Sequence, residues 1–212
     1  MLATDVLAFV RSALPAPPAR VLEIGAGRGE LAAELRSAGY DVHAIDPAAE
    51  EGSGVERAGL LEVTGTFDAA VAVVSLHHVE PLAASCERLA TVLRDGGVLV
   101  IDEFDVGRLD ERAADWWLGQ RRAAGAEEQH GGHGAQHDAQ SLIAFMRGHV
   151  HPLSLVREAL LPHFTLGEPV PGPYLHRWNL APGLRDDEEQ LIASGELPAT
   201  GARLVGTRRP AS

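Results

Sequence analysis

The stretch Val21-Leu22-Glu23-Ile24-Gly25-Ala26-Gly27-Arg28-Gly29-Glu30-Leu31 carries the architecture of this chain. It reads as a buried strand running into a glycine-rich turn that opens a helix. Glycines at alternate positions let the backbone turn sharply and lie against a ligand, because no Cβ intervenes. The spacing also selects the ligand. A dinucleotide fingerprint places glycine at the first, third and sixth positions of the turn. Gly25 and Gly27 comply, but the sixth position is Glu30. Glu23 adds a second carboxylate, within the strand itself. Acids on both sides of the turn repel phosphate and suit a ligand carrying an ammonium or sulfonium group.

Outward from this turn, strands alternate with helices. Apolar residues Val6, Leu7, Val10 and Leu14 recur at helical spacing until Pro15, Pro17 and Pro18 stop them. Arg20 to Ile24 is the first strand, Glu30 to Ala38 the next helix, and Asp41 to Ile45 a second strand ending at Asp46. After a short acidic link over Pro47 to Gly54, a further strand is expected within Val55 to Val63. Phe67 to Val74 and Val98 to Asp102 are nearly unbroken apolar runs, the mark of strands buried on both faces. Pro81 to Leu93 is read as a helix between them and Gly96-Gly97 as a turn. Alternation at this spacing implies a doubly wound, mostly parallel α/β sheet. From Asp105 to Val150 the pattern loses its period and mixes aromatics, glycines and histidines, which reads as a helical insertion or lid. Beyond it, Leu153 to Leu161 is a helix, Phe164 to Glu168 and Arg203 to Thr207 are strands, and an acidic helix lies near Asp186 to Ala193.

A chain of 212 residues with 45% hydrophobic content suits one domain over 1–212, with 105–150 inserted in it. No apolar run approaches the roughly 20 residues of a membrane span, and no basic-then-apolar leader opens the chain, so cytoplasmic residence without membrane association is expected. The single cysteine, Cys86, excludes an intramolecular disulfide and a multi-cysteine zinc site. A formal net charge of −12 argues against nucleic acid as a partner and for a small-molecule substrate. The oligomeric state is left open.

Asp46 closes the second strand nineteen residues after Gly27. A carboxylate there can accept hydrogen bonds from both hydroxyls of a ribose; its other reading is a turn former before Pro47. The glycine turn upstream favours the ribose. Gly25, Asp46, Ser75 and Asp102 all fall at the carboxyl ends of strands, where open α/β sheets gather their ligands.

Four segments in order across residues 21–104 resemble class I S-adenosylmethionine-dependent methyltransferases of the small-molecule branch. Val21 to Gly29 is similar to their first motif, and Val42-His43-Ala44-Ile45-Asp46-Pro47 to the second-strand motif. Phe67 to Val79 looks like the fourth-strand motif, and Leu93 to Ile101 like the turn and fifth strand. The resemblance implies a seven-stranded-type Rossmann-like sheet with the insertion after its fifth strand, S-adenosyl-L-methionine as cofactor, and methyl transfer to an oxygen or nitrogen of a small molecule. It places Gly25, Ala26 and Gly27 at the methionine part of the cofactor, with Glu23 near its amino group. Asp46 takes the ribose, Pro47 the adenine, and Ser75 and Leu76 line the cofactor from the fourth strand. The family's acidic adenine contact after the third strand has no clean counterpart in Glu56 to Leu61, where Glu56 is the candidate.

Other residues are read on their own chemistry. His77-His78 ends the fourth strand, and a neutral His78 there is a candidate base for the acceptor's proton. Trp116, Trp117, Tyr174 and His176 hold much of the scarce aromatic and imidazole content and are candidates for a flat substrate pocket. Adjacent Trp116 and Trp117 cannot both face one way on a helix, so one belongs to the core. His130, His133 and His137 cluster among glycines, whose freedom makes ligand spacing unreliable; they are kept as metal candidates and no metal is expected. The rival functions are a non-methylating use of the same fold and cofactor, and a nucleotide-dependent oxidoreductase, against which Glu30 speaks.

Overall fold

The computed structural model describes residues 4–125, 137–181 and 183–210. Its strands are β1 (Arg20–Ile24), β2 (Asp41–Ile45), β3 (Phe67–Val73), β4 (Leu93–Phe104), β5 (Phe164–Leu166), β6 (Val170–Gly172) and β7 (Gly201–Arg208). The helices are α1 (Thr4–Ala13), α2 (Glu30–Ser37), α3 (Leu82–Val92), α4 (Glu111–Ala123), α5 (Ala139–His149), α6 (Leu153–Leu160) and α7 (Arg185–Ala193). The strands form a seven-stranded sheet in the order β2-β1-β3-β4-β7-β5, with β6 paired to β7. β1 runs parallel to both β2 and β3, β3 parallel to β4, and β5 antiparallel to β7. The α/β sheet expected from the alternating pattern is therefore present, and it is mixed, with β5 antiparallel to β7.

The order explains where a ligand would sit. The chain leaves β1 through α2 to β2 on one side, then returns to lay β3 on the other side of β1. Strand order reverses at that point, and the loops after β1 and β3 diverge to leave a crevice. Burial fixes the register. Val21, Val42, Ala69, Val71 and Val100 face Val6 and Val10 of α1 and Leu31 and Leu35 of α2 in one core. A one-residue slip would turn those side chains to the opposite face of the sheet.

Three elements differ from the sequence reading. No strand forms within Val55 to Val63: Glu56 alone bridges Ile45, and a 3-10 turn follows at Leu60–Glu62. The reason is local. Gly52 and Gly54 adopt φ of +82° and +76°, and the Glu62 carboxylate accepts the Gly59 N–H at 2.7 Å, so the backbone curls before a ladder can extend. β4 is longer than expected, because Leu93 pairs with Phe67 before the Gly96-Gly97 turn and Val98 pairs with Ala69 after it, with a register shift between them. β6 escaped the pattern altogether, since Pro169, Pro171 and Pro173 deny it ladder donors.

The chain divides into two compact units, one of residues 1–103, 155–169 and 203–212, the other of 104–154 and 170–202. The first holds most of the sheet and α1 to α3. The second contains the described part of the 105–150 stretch and has its own aromatic core. There Trp117 stacks on Trp178 at 4.3 Å and donates its indole N–H to the Trp178 carbonyl at 2.8 Å. Phe104 stacks on Tyr174 at 4.7 Å. Asp110 and Asp138 cap α4 and α5 by accepting the N–H of Ala113 and Ser141.

Candidate active site

Within the first unit, a cavity of about 670 Å³ opens at the crevice between β1 and β3. Gly25, Asp46, Pro47, Ser75 and His78 stand on its wall, joined by an apolar stretch from Ile45, Ala58, Leu60 and Val79. A second recess of about 290 Å³ is lined by Glu23, Gly25, Ala26, Glu30 and Val73. Gly25 is on the wall of both.

The glycine turn behaves as its spacing requires. Gly25 has φ +68°, and a Cβ added there would lie 2.4 Å from the Ser75 Cβ. Only hydrogen fits between the β1 and β3 turns at this point. Gly27 also has positive φ, but a Cβ there would meet nothing within 4 Å. Its N–H donates to the Asp46 carboxylate at 2.9 Å, and the other oxygen of Asp46 accepts the Ala48 N–H at 2.8 Å. Asp46 thus acts as a turn former while still facing the cavity.

Glu23 is buried at 4% exposure, and one of its oxygens has no hydrogen-bond partner. Burial pushes its carboxyl up to about 7, against the opposing pull of the Arg36 charge and an Ala32 backbone N–H. The Ser75 hydroxyl is likewise buried without a partner. Two orphaned polar atoms therefore stand around Gly25, one on the residue two before it and one on the residue touching it. A buried acceptor left unpaired costs about 1–3 kcal/mol, a cost that a bound donor would remove.

The remaining predicted residues are distributed as follows. Leu76 is fully buried and belongs to a 3-10 turn, Leu76–His78, behind the cavity wall. His77 is buried and places its Nδ1 2.5 Å from the Glu103 carboxylate, whereas His78 is exposed and lines the cavity. Glu56 does not line the cavity; its carboxylate lies 3.2 Å from His43. Asp102 bonds the Arg203 guanidinium at 2.6 Å. Trp117 and Tyr174 pack in the aromatic core of the second unit, and Trp116 is half-buried. His176 is paired with Glu188 at 2.7 Å. His130 and His133 lie outside the described residues, His137 is exposed, and Asp138 beside it is committed to capping α5. Among the described residues no group of His, Cys, Asp and Glu is arranged to hold a metal. Cys86 is buried and its thiol is pushed up to about 12 by burial, an inert core residue.

Two participants were missed. Val74 lines the cavity at φ +53°, a conformation that a β-branched side chain strongly disfavours and that nothing in its local sequence announces. Glu103 is buried beneath the same turn. A signal for it existed: Asp102-Glu103 at the end of an apolar strand puts two acids on opposite faces, and each needs a buried partner.

The methyltransferase domain family model matches residues 2–149. The chain belongs to that family. Its methyltransferase domain is similar to uncharacterized methyltransferases of Mycobacterium tuberculosis and Mycobacterium bovis, at 39% identity over 41% of this chain and 40% of theirs. The match thus spans about two-fifths of the length of these curated relatives. Among solved structures, the methyltransferase domain is similar to the N-methyltransferase NodS of Bradyrhizobium japonicum in complex with S-adenosyl-L-homocysteine. The two share a TM-score of 0.57 and 14% identity over 98% of this chain and 87% of that one. The cyclase SpnF gives a TM-score of 0.59 at 14% identity, over 98% and 81%. At such identities the likeness is one of fold. The family match bears out the resemblance drawn from the four sequence segments. No helix among the described residues is long and apolar enough to cross a membrane.

Proposed function

We propose that this methyltransferase domain binds S-adenosyl-L-methionine in the crevice between β1 and β3 and methylates an oxygen or nitrogen of a small molecule. The observation that carries the reading is the pair of carboxylates around the glycine turn: Glu23, buried with one orphaned oxygen, and Asp46, on the cavity wall. This set of acceptors fits a ligand with a cationic amino acid end and a ribose, and it is hostile to a pyrophosphate.

In this assignment Glu23 and the Ser75 hydroxyl accept from the cofactor's amino acid end, and Gly25, Ala26 and Gly27 let the backbone approach it. Asp46 accepts the ribose hydroxyls. Pro47, Ala58 and Leu60 enclose the adenine, and Leu76 supports the wall from behind. When bound, the cofactor supplies a methyl group on a sulfonium, an electrophile that needs little covalent help. The chain's contribution is then alignment, worth about 7–11 kcal/mol of barrier when both reactants are held. His78, on the cavity wall, is placed to receive the acceptor's proton. Acceptor selection is assigned to the half-buried Trp116 and His176, since Trp117 and Tyr174 are spent in the second unit's core, with 105–150 as the insertion or lid of one methyltransferase domain. The net charge of −12 favours a neutral or cationic acceptor over nucleic acid.

The test is incubation with S-adenosyl-L-methionine and a panel of phenols and primary and secondary amines, read by mass spectrometry. A product heavier by one methyl group, formed together with S-adenosylhomocysteine, is expected. Cofactor binding without any methylated product across the panel would overturn methyl transfer to such acceptors. A His78→Ala variant that methylates at the wild-type rate would remove His78 as the base.

A further inference from the structure

Glu103 is 1% exposed, and its carboxylate holds the turn after β3 by three bonds. One oxygen accepts the N–H of Ser75 at 2.9 Å and of Leu76 at 2.6 Å; the other lies 2.5 Å from the His77 Nδ1. These residues follow directly on Val74, whose φ of +53° is unfavourable for valine, and the Val74 N–H is fixed to the Asp102 carbonyl at 2.8 Å. Such a conformation persists only where the surroundings over-determine it. The turn it produces brings Ser75 so close to β1 that only glycine is accommodated at position 25. Val74, Ser75 and His78 all line the cavity.

A second turn shows what this grip does on its own. In the second unit, buried Glu188 accepts the N–H of Tyr174 at 2.8 Å and of Leu175 at 2.9 Å through one oxygen, and His176 Nδ1 at 2.7 Å through the other. The first residues of the two turns have nearly the same torsions, φ −135° and ψ −38° at Ser75, φ −143° and ψ −36° at Tyr174. The residue before the second turn, Pro173, is not in the left-handed region. A carboxylate gripping a Leu-His turn therefore does not require backbone strain. The strain at Val74 belongs to the cavity-side turn alone.

We propose that Glu103 is a positioning residue for the cofactor site, holding the strained Val74-Ser75 turn so that the Ser75 hydroxyl and the Gly25 backbone form one wall. This assignment rests on the reading of the cavity as the S-adenosylmethionine site. Glu103 touches neither reactant; it acts through Ser75 and, by way of His77, on the adjoining His78, whose ring lies 4.2 Å from that of His77.

The experiment compares wild type and Glu103→Gln by calorimetric titration with S-adenosylhomocysteine, with circular dichroism and thermal melting confirming the fold. Glutamine keeps the volume and one acceptor, but turns an amide N–H₂ toward the His77 Nδ1. Affinity should fall by up to roughly a hundredfold, since a misplacement of about 1 Å in a preorganised site carries that penalty. A second readout needs no variant. The proton of the His77–Glu103 hydrogen bond should give an NMR resonance that moves when S-adenosylhomocysteine is added, and a purely structural bond would leave it in place. Wild-type affinity in folded Glu103→Gln, or a resonance indifferent to the ligand, overturns the assignment while leaving the cofactor reading intact. Failure of the wild-type chain to bind S-adenosylhomocysteine overturns both.

Discussion

Replacing Glu23 by glutamine should make the ligand-free protein more stable and the cofactor site worse. The Glu23 carboxyl is raised from 4.5 to about 7 by burial. At 1.36 kcal/mol per pH unit, that displacement corresponds to about 3 kcal/mol between the protonated and ionised forms of the native state. The native value lies above the unfolded one, so between about pH 4.5 and 7 the native chain retains a proton that the unfolded chain has released. Stability is therefore present in full at the acid end of this window, declines as pH rises through it, and levels off above it. Glutamine imitates the protonated carboxyl at every pH. Denaturant melts of the two proteins should coincide near pH 4.5 and diverge until, by about pH 8, Glu23→Gln is more stable by about 3 kcal/mol. For a chain of this size that corresponds to a rise of roughly 6–12 °C in Tm. The same variant should bind S-adenosylhomocysteine more weakly at pH 8, having lost the anion for the ligand's ammonium group. In the wild type, binding near pH 6.5 should release a proton, seen as a calorimetric enthalpy that depends on the buffer. Stabilities of the two proteins that run parallel from pH 5 to 8 would refute the argument that burial strains the Glu23 charge.

Other substitutions test other parts of the site. Asp46→Ala should weaken S-adenosylhomocysteine binding by at least roughly tenfold, since even one charge-assisted bond contributes about 1.5–3 kcal/mol; unchanged calorimetric affinity in a folded variant would contradict the ribose assignment. Gly25→Ala and Gly27→Ala both force alanine to a positive φ, at roughly 1–2 kcal/mol. Only Gly25→Ala also drives a Cβ into Ser75, so its Tm should fall further and its cofactor binding should be lost, whereas Gly27→Ala keeps a measurable affinity. Glu188→Ala strands the buried N–H groups of Tyr174, Leu175 and His176 and should cost about 3–5 kcal/mol in urea melts at pH 7. The Glu188 carboxyl is held low by bonds from His176 and the turn's N–H groups, which outweigh its burial. Its contribution is present above the ordinary carboxylate range and disappears as pH falls through the lowered value, so the penalty should shrink in acid.

The parts of the fold that local sequence announces are those where several signals coincide. At β1 an apolar run, alternate glycines and an amphipathic helix agree, and the strand bounds follow. β2 is legible for the same reason, from Asp41 up to the carboxylate of Asp46. The third strand failed because Val55, Leu60 and Val63 supply apolar character without the extended backbone that the flanking glycines and the Gly59–Glu62 bond deny it. β6 failed because its prolines describe a loop until β7 is there to pair with it. The site shows the same division. Gly25, Asp46 and Ser75 are marked by their position at strand ends. The Asp102-Glu103 pair announces a buried acid at the end of β4, but not what Glu103 holds, because its partners are 26 to 28 residues away. Nor can sequence show that Val74 is strained, since the strain is imposed by contacts and opposed by the residue's own preference. The aromatic residues of the second unit were conspicuous by their scarcity, yet only packing reveals that Trp117 is a core residue whose indole N–H caps the Trp178 carbonyl.

The most direct test of the account is calorimetric titration of the wild-type chain with S-adenosylmethionine, S-adenosylhomocysteine and NAD in parallel. The two carboxylates around the glycine turn predict micromolar binding of both sulfur ligands and none of the dinucleotide. Preference for NAD, or no binding of any of the three, would contradict the reading of the β1–β3 crevice on which the rest depends.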